Sequence, residues 1–164
     1  MEAFELMPEG THCQLINDVI VMSPAPTTPH FLTQSKIFSA LNNFVEHQQL
    51  GTVFFAPVDV YLNKKNAFQP DIFYVPAEKN DIIKERGIEG VPDLIIEVLS
   101  KGNEKYDLNE KKGVYESAGV KEYWVVDPKT KWREGFILEN GVYKSLGEGS
   151  GELRIQMFDL PISF

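Results

Sequence analysis

From Leu94 to Leu99 the chain reads Leu-Ile-Ile-Glu-Val-Leu, an apolar run broken only by Glu97. Such a run predicts a strand covered on both faces. Upstream, "THCQLINDVIVMSPAP" predicts two short strands about a turn at Asn17-Asp18, ended by a Pro-rich loop. In "HFLTQSKIFSALNNFVEHQQL", Phe31, Ile37, Leu41, Phe44 and Val45 recur mostly at helical spacing, predicting an amphipathic helix with Gly51 as its stop. "TVFFAPVDVYL" and "AFQPDIFYVP" predict two strands joined by the hairpin-length turn "NKKNA", the second entered through Pro70. "EKNDIIKERGIEG" reads as a loop with at most one helical turn. "NEKYDLNEKKGVYESAG" predicts a second, charged helix with Leu108, Val114 and Tyr115 as its apolar contacts and Gly119 near its end. "KEYWVVDP" is a strand stopped at Asp127-Pro128, and "REGFILENGVYKSL" a hairpin turning at Asn140-Gly141. "ELRIQMFDLPISF" predicts one more strand and a short tail.

This order predicts an α/β (α+β) layer fold with a mixed central sheet flanked by helices and β-hairpins toward both ends. The strand–helix–strand step from Leu94 to Val126 makes those two strands parallel neighbours by a right-handed crossover. No repeat, low-complexity segment or linker divides residues 1–164, which read as a single domain.

Composition narrows the chemistry. A sole cysteine, Cys13, excludes an internal disulfide and a multi-cysteine zinc site. "MEAFELMPEG" has no apolar signal region, and no apolar run approaches the roughly 20 residues that cross a bilayer. The expectation is a cytoplasmic protein without membrane contact. A formal net charge of −8 counts against nonspecific DNA binding by bulk charge, though not against a local basic surface. Carboxylates gathered at a metal site would add to that count.

Glu97 is the residue to explain. A lone carboxylate in a doubly covered strand is desolvated, so it faces a cleft or meets a buried cation. Asp71, Asp93 and Lys111 are the side chains that could converge on it. Asp93 and Glu97 share a face about 13 Å apart, too far to chelate one ion. Asp71 lies on another strand; if the two strands are adjacent, a same-face pair comes within roughly 5 Å. Asp71 with Glu97 would then form an oxygen-rich site for Mg²⁺ or Mn²⁺, completed by waters and a backbone carbonyl, with that of Val98 the candidate. Lys111 shares a helix face with Tyr115, four residues on, whereas Lys112 is turned about 100° away. There Lys111 could orient a water or neutralise a phosphoryl group. A buried Lys or Arg partner explains Glu97 equally well, a strand-entry turn explains Pro70-Asp71, and a solvated helix face explains Lys111.

Taken together, "LINDVIVMSPAPTTPH", "APVDVYL", "QPDIFYVP", "GVPDLIIEVLS" and "DLNEKKGVYESAGVKEYWVVDP" resemble the Uma-two family of putative restriction endonucleases, bacterial proteins of the PD-(D/E)XK nuclease superfamily. The resemblance implies a restriction-endonuclease-like fold. It implies a divalent-metal-dependent endonuclease acting on DNA, with Asp71 and Glu97 as metal ligands. The superfamily lysine two residues after the acid is Leu99 here; the family pattern implies Lys111 instead. Family members usually carry a glutamate where this chain has Gln14, whose amide coordinates through oxygen but attracts a dication less. His30 and Asp59 match family positions, with an accessory role set against a structural one for each. The alternative is a nuclease fold kept as a weakly active or inactive binding module. Cutting both strands suggests a homodimer.

Overall fold

The structure is a computed structural model describing residues 1–8, 11–22, 25–100 and 106–164, apart from the side chains of residues 2 and 106–108. The chain begins with α1 (Glu2–Glu5), β1 (Cys13–Ile16), β2 (Val19–Met22) and the long helix α2 (Thr28–His47). Four strands follow: β3 (Gly51–Phe55), β4 (Val60–Asn63), β5 (Asn66–Phe68) and β6 (Ile72–Pro76). A 3-10 segment (Ala77–Ile82) leads to β7 (Ile83–Lys84), β8 (Gly87–Glu89) and β9 (Leu94–Val98). A π-helical turn (Tyr106–Lys111) continues into α3 (Lys112–Ala118). Then come β10 (Glu122–Val126), β11 (Trp132–Glu139), β12 (Val142–Ser150), β13 (Glu152–Ile155) and β14 (Leu160–Ser163).

The central sheet has the order β12-β11-β10-β9-β6-β3. It is mixed: β9 and β10 run parallel, as a crossover through α3 requires, and the other pairings are antiparallel. Its central strands β6, β9 and β10 are buried on both faces, which accounts for their unbroken apolar runs. On one face Ile72, Ile96, Val98 and Trp124 meet Ile37, Leu41 and Val45 of α2, together with Leu153, Ile155 and Ile162 of the terminal hairpin. On the other, Phe73, Ile95, Tyr123 and Val125 meet Tyr115 of α3 and Ile16, Val60, Phe68 and Ile88 of a second sheet. Glu97 falls in the alternating set of Ile95 and Leu99, on this second side.

A second buried carboxylate, Glu122, serves the fold. It accepts from Trp124 Nε1 at 2.7 Å and from the main-chain N–H groups of Gln156 at 2.7 Å and Met157 at 3.0 Å. It therefore ties the C-terminal segment to the central sheet.

Several local expectations are corrected. "AFQPDIFYVP" is two strands in different sheets: β5 pairs with β1 and β4, whereas β6 pairs with β3 and β9, and Pro70 lies between them. "TVFFAPVDVYL" divides likewise at Pro57, into β3 of the central sheet and β4 of the second. That second sheet, β2-β1-β5-β4-β8-β7, also takes in the stretch read as a loop, which forms the small β7–β8 hairpin. The last segment is a hairpin, β13–β14, rather than one strand. Gly51 does not stop α2, which ends at His47; Gln49 takes the left-handed φ of 55°. Gly51 opens β3, where a Cβ would clash with the Val75 carbonyl oxygen. The start of the second helix expected at 103–105, the side chain of Leu108 and residues 23–24 of the Pro-rich loop lie outside the described residues.

Candidate active site

The ladder between β6 and β9 pairs Ile72 with Ile96, so Asp71 stands at the strand end nearest Glu97. Asp71 Oδ2 accepts from the Val98 main-chain N–H at 2.7 Å, which fastens it to the neighbouring strand. Its Oδ1 lies 2.9 Å from His30 Nε2, and His30 Nδ1 lies 3.1 Å from the Ser100 hydroxyl. A neutral imidazole with its proton on Nε2 satisfies both, donating to Asp71 and accepting from Ser100. Gln34 donates to the Asp71 main-chain carbonyl at 2.8 Å.

Glu97 is 2% exposed and has two proton donors on one oxygen. Lys111 Nζ donates to Oε1 at 3.0 Å and the Tyr115 hydroxyl at 2.6 Å. Helical spacing puts these two donors one above the other. Lys112 points away, its ammonium 3.7 Å from the Phe136 ring centroid. A charge buried this deeply persists only with such partners.

His30, Gln34, Asp71, Glu97, Val98 and Lys111 all line one cavity of about 200 Å³. Gln14, on β1, lines it too. The structure thus brings Asp71, Glu97, Lys111, Val98, Gln14 and His30 to one place. Asp59 is not in the lining; Gln69, which is, donates to Asp59 Oδ1 at 2.9 Å from the adjoining cavity. Asp93 is elsewhere as well, between Lys79 at 2.6 Å and Lys121 at 2.7 Å.

The donor chemistry fits a hard divalent cation. Two carboxylates share a cavity with the amides of Gln14, Gln34 and Gln69, with Val98 of β9 in the wall, and no sulfur ligand is among the described lining. Among the described residues no three His, Cys, Asp or Glu side chains form a ready-made metal cluster. A cation here would draw on amide, main-chain and water oxygens besides the two carboxylates, as Mg²⁺ commonly does.

A family model, Uma2, described as putative restriction endonuclease, matches residues 1–160. The chain belongs to the Uma2 family. Its fold is similar to the crystal structure of a putative nuclease belonging to DUF820 from Anabaena variabilis ATCC 29413, with a TM-score of 0.80. That likeness covers 99% of this chain and 93% of the other at 20% identity, and it shows a shared nuclease-like fold. No curated protein matches the chain.

Sequence reasoning did not single out five polar groups at this candidate site: His12, Gln34, Gln69, Ser100 and the hydroxyl of Tyr115. A signal existed for two. Tyr115 was expected only as an apolar contact, although its spacing from Lys111 places both on one face. In α2 the buried stripe is Ile37, Leu41 and Val45 over the core, but His30, Thr33 and Gln34 in its first turns. That change from apolar to polar marks where the helix leaves the core and meets the cleft. His12 and Ser100 carry no such pattern.

Proposed function

We propose that this Uma2 protein is a divalent-metal-dependent endonuclease that hydrolyses DNA phosphodiester bonds. The observation that carries this reading is a buried carboxylate of the central sheet, Glu97, sharing one cavity with Asp71 while its own oxygen meets Lys111. Family membership supports DNA as the substrate.

Asp71 and Glu97 would hold Mg²⁺ or Mn²⁺, with the Val98 carbonyl and the Gln14 amide as further oxygen donors. When bound, the ion supplies charge neutralisation at the scissile phosphate and a lowered pKa for a water nucleophile. The chain's own residues provide preorganisation. The Val98 N–H and His30 hold one Asp71 oxygen each, so the carboxylate is oriented before a ligand arrives. Tyr115 orients Glu97 in the same way. Lys111, in the cavity wall, can donate to a phosphoryl oxygen or to the attacking water as charge develops. A second copy of the chain would supply the second site needed to cut both strands.

Nicking of supercoiled plasmid with Mn²⁺ or Mg²⁺ tests this. Cleavage by the native protein should be lost in Asp71→Asn and Glu97→Gln and fall at least about a hundredfold in Lys111→Ala, the scale of one lost electrostatic donor. Activity retained in both carboxylate variants would overturn the assignment.

A further inference from the structure

Phe31 and Phe55 stand at the rim of the cleft. The helical pattern puts Phe31 with the apolar face of α2, yet it is 57% exposed while His30 beside it is 5% exposed. Phe55, the last residue of β3, is 50% exposed and meets Phe38 edge-on at 4.6 Å. Both rings line the cavity that contains Asp71, Glu97 and Lys111. A single exposed apolar residue needs no explanation. Two phenyl rings on the rim of the one cavity that holds Asp71, Glu97 and Lys111 are a different matter.

The described lining of the same cleft is poor in cations. In that lining Lys111 is the sole Lys or Arg, faces two carboxylates, and is already engaged with one of them. The chain has three arginines, and none is in that lining. Arg133 donates to the Gly147 and Glu152 carbonyls, Arg154 pairs with Asp159, and Arg86 lines other cavities. Duplex DNA is gripped mainly through rows of phosphates contacted by Arg and Lys. A base laid on a phenyl ring needs no such row, but its face is available only when it has left the helical stack.

We infer that Phe31 and Phe55 stack against nucleobases and that the site takes unpaired DNA, such as single strands, flaps and bulges, in preference to continuous duplex. This rests on the nuclease reading above and specifies its substrate. Without stacking, the acidic cleft has little among its described residues with which to hold a polyanion.

The test compares one labelled oligonucleotide as a single strand, as a perfect duplex and as a single strand of abasic sites. Cleavage is measured with Mn²⁺, and binding by fluorescence anisotropy with Ca²⁺. The single strand should be cut about tenfold or more faster than the duplex. Phe31→Ala/Phe55→Ala should lose about tenfold or more in kcat/KM on the single strand and little on the abasic strand. Phe31→Trp/Phe55→Trp should restore the rate, which a packing role alone would not produce. Equal rates on single strand and duplex, or alanine variants as active as the native protein, would overturn the inference and leave the nuclease reading standing. Absence of cleavage together with phenylalanine-dependent binding of the single strand would overturn the catalytic reading and keep the stacking surface. Absence of both would overturn both. A native dimer that falls apart in the alanine variants, with unchanged DNA binding, would assign the rings to a self-interface and overturn the inference.

Discussion

Glu97 and Lys111 are 2% and 5% exposed, so neither charge is screened as a surface charge would be. Removing one leaves the other buried without this counter-ion, at a cost of about 3–5 kcal/mol. Glu97→Gln should therefore lower stability by about 3 kcal/mol as well as activity. Glu97→Gln/Lys111→Met should recover most of that loss, because both charges are then gone. Urea unfolding of the two variants checks this; a single variant as stable as the native protein would refute a buried ion pair. Tyr115→Phe keeps the ring against Phe68 and Tyr123 but removes a hydrogen bond to a charged group, and should cost about 1.5–3 kcal/mol. At this scale the sequence was informative where a residue broke a pattern. Glu97 interrupts an apolar run, and it marked its own site. Ser100 and His12 break no pattern, and only the fold brings them to the cleft.

The elements show how glycine positions separate packing from propensity. Gly135 of β11 lies opposite Trp124, and a Cβ there would come within 2.6 Å of the indole ring. Gly135→Ala should destabilise by about 1–3 kcal/mol through overpacking. Gly113 of α3 has open space around it, so Gly113→Ala should stabilise by roughly 0.5–1 kcal/mol through helix propensity. Thermal melting of both variants should give shifts of opposite sign. The elements built from local contacts were legible in the sequence: the Asn17-Asp18 and Asn140-Gly141 hairpins, α2, and the parallel β9–β10 pair around its crossover. What was not legible is the departure of the chain from one sheet to another at Pro57 and Pro70. Local hydrophobic alternation is the same on both sides of each break, and only tertiary pairing decides which sheet a strand joins.

For the whole molecule, Glu122 couples the C-terminal hairpin to the central sheet and makes stability depend on pH. Burial pushes its carboxyl above the ordinary 4.5, against the opposing hydrogen bonds from Trp124, Met157 and Gln156. The folded chain thus binds this proton more tightly than the unfolded chain. The resulting stability is full below the ordinary value and declines as pH rises through it toward the raised folded value. Glu122→Gln keeps an acceptor oxygen but has no proton to lose, so its stability should be flatter above pH 4.5. Urea midpoints across that window test the difference; parallel profiles would assign the pH dependence to other groups.

The hydrolytic function proposed for the cleft depends on Asp71 and Glu97 holding one divalent cation. Mn²⁺ binding, followed by calorimetry on the native protein, Asp71→Asn, Glu97→Gln and Lys111→Ala, tests that most directly. One ion per chain should bind to the native protein and be lost in both carboxylate variants. It should be kept or tightened in Lys111→Ala, where Glu97 loses a competing cation. Mn²⁺ binding unchanged in Asp71→Asn and Glu97→Gln, or absent from a folded native protein, would contradict the metal site and the hydrolytic function built on it.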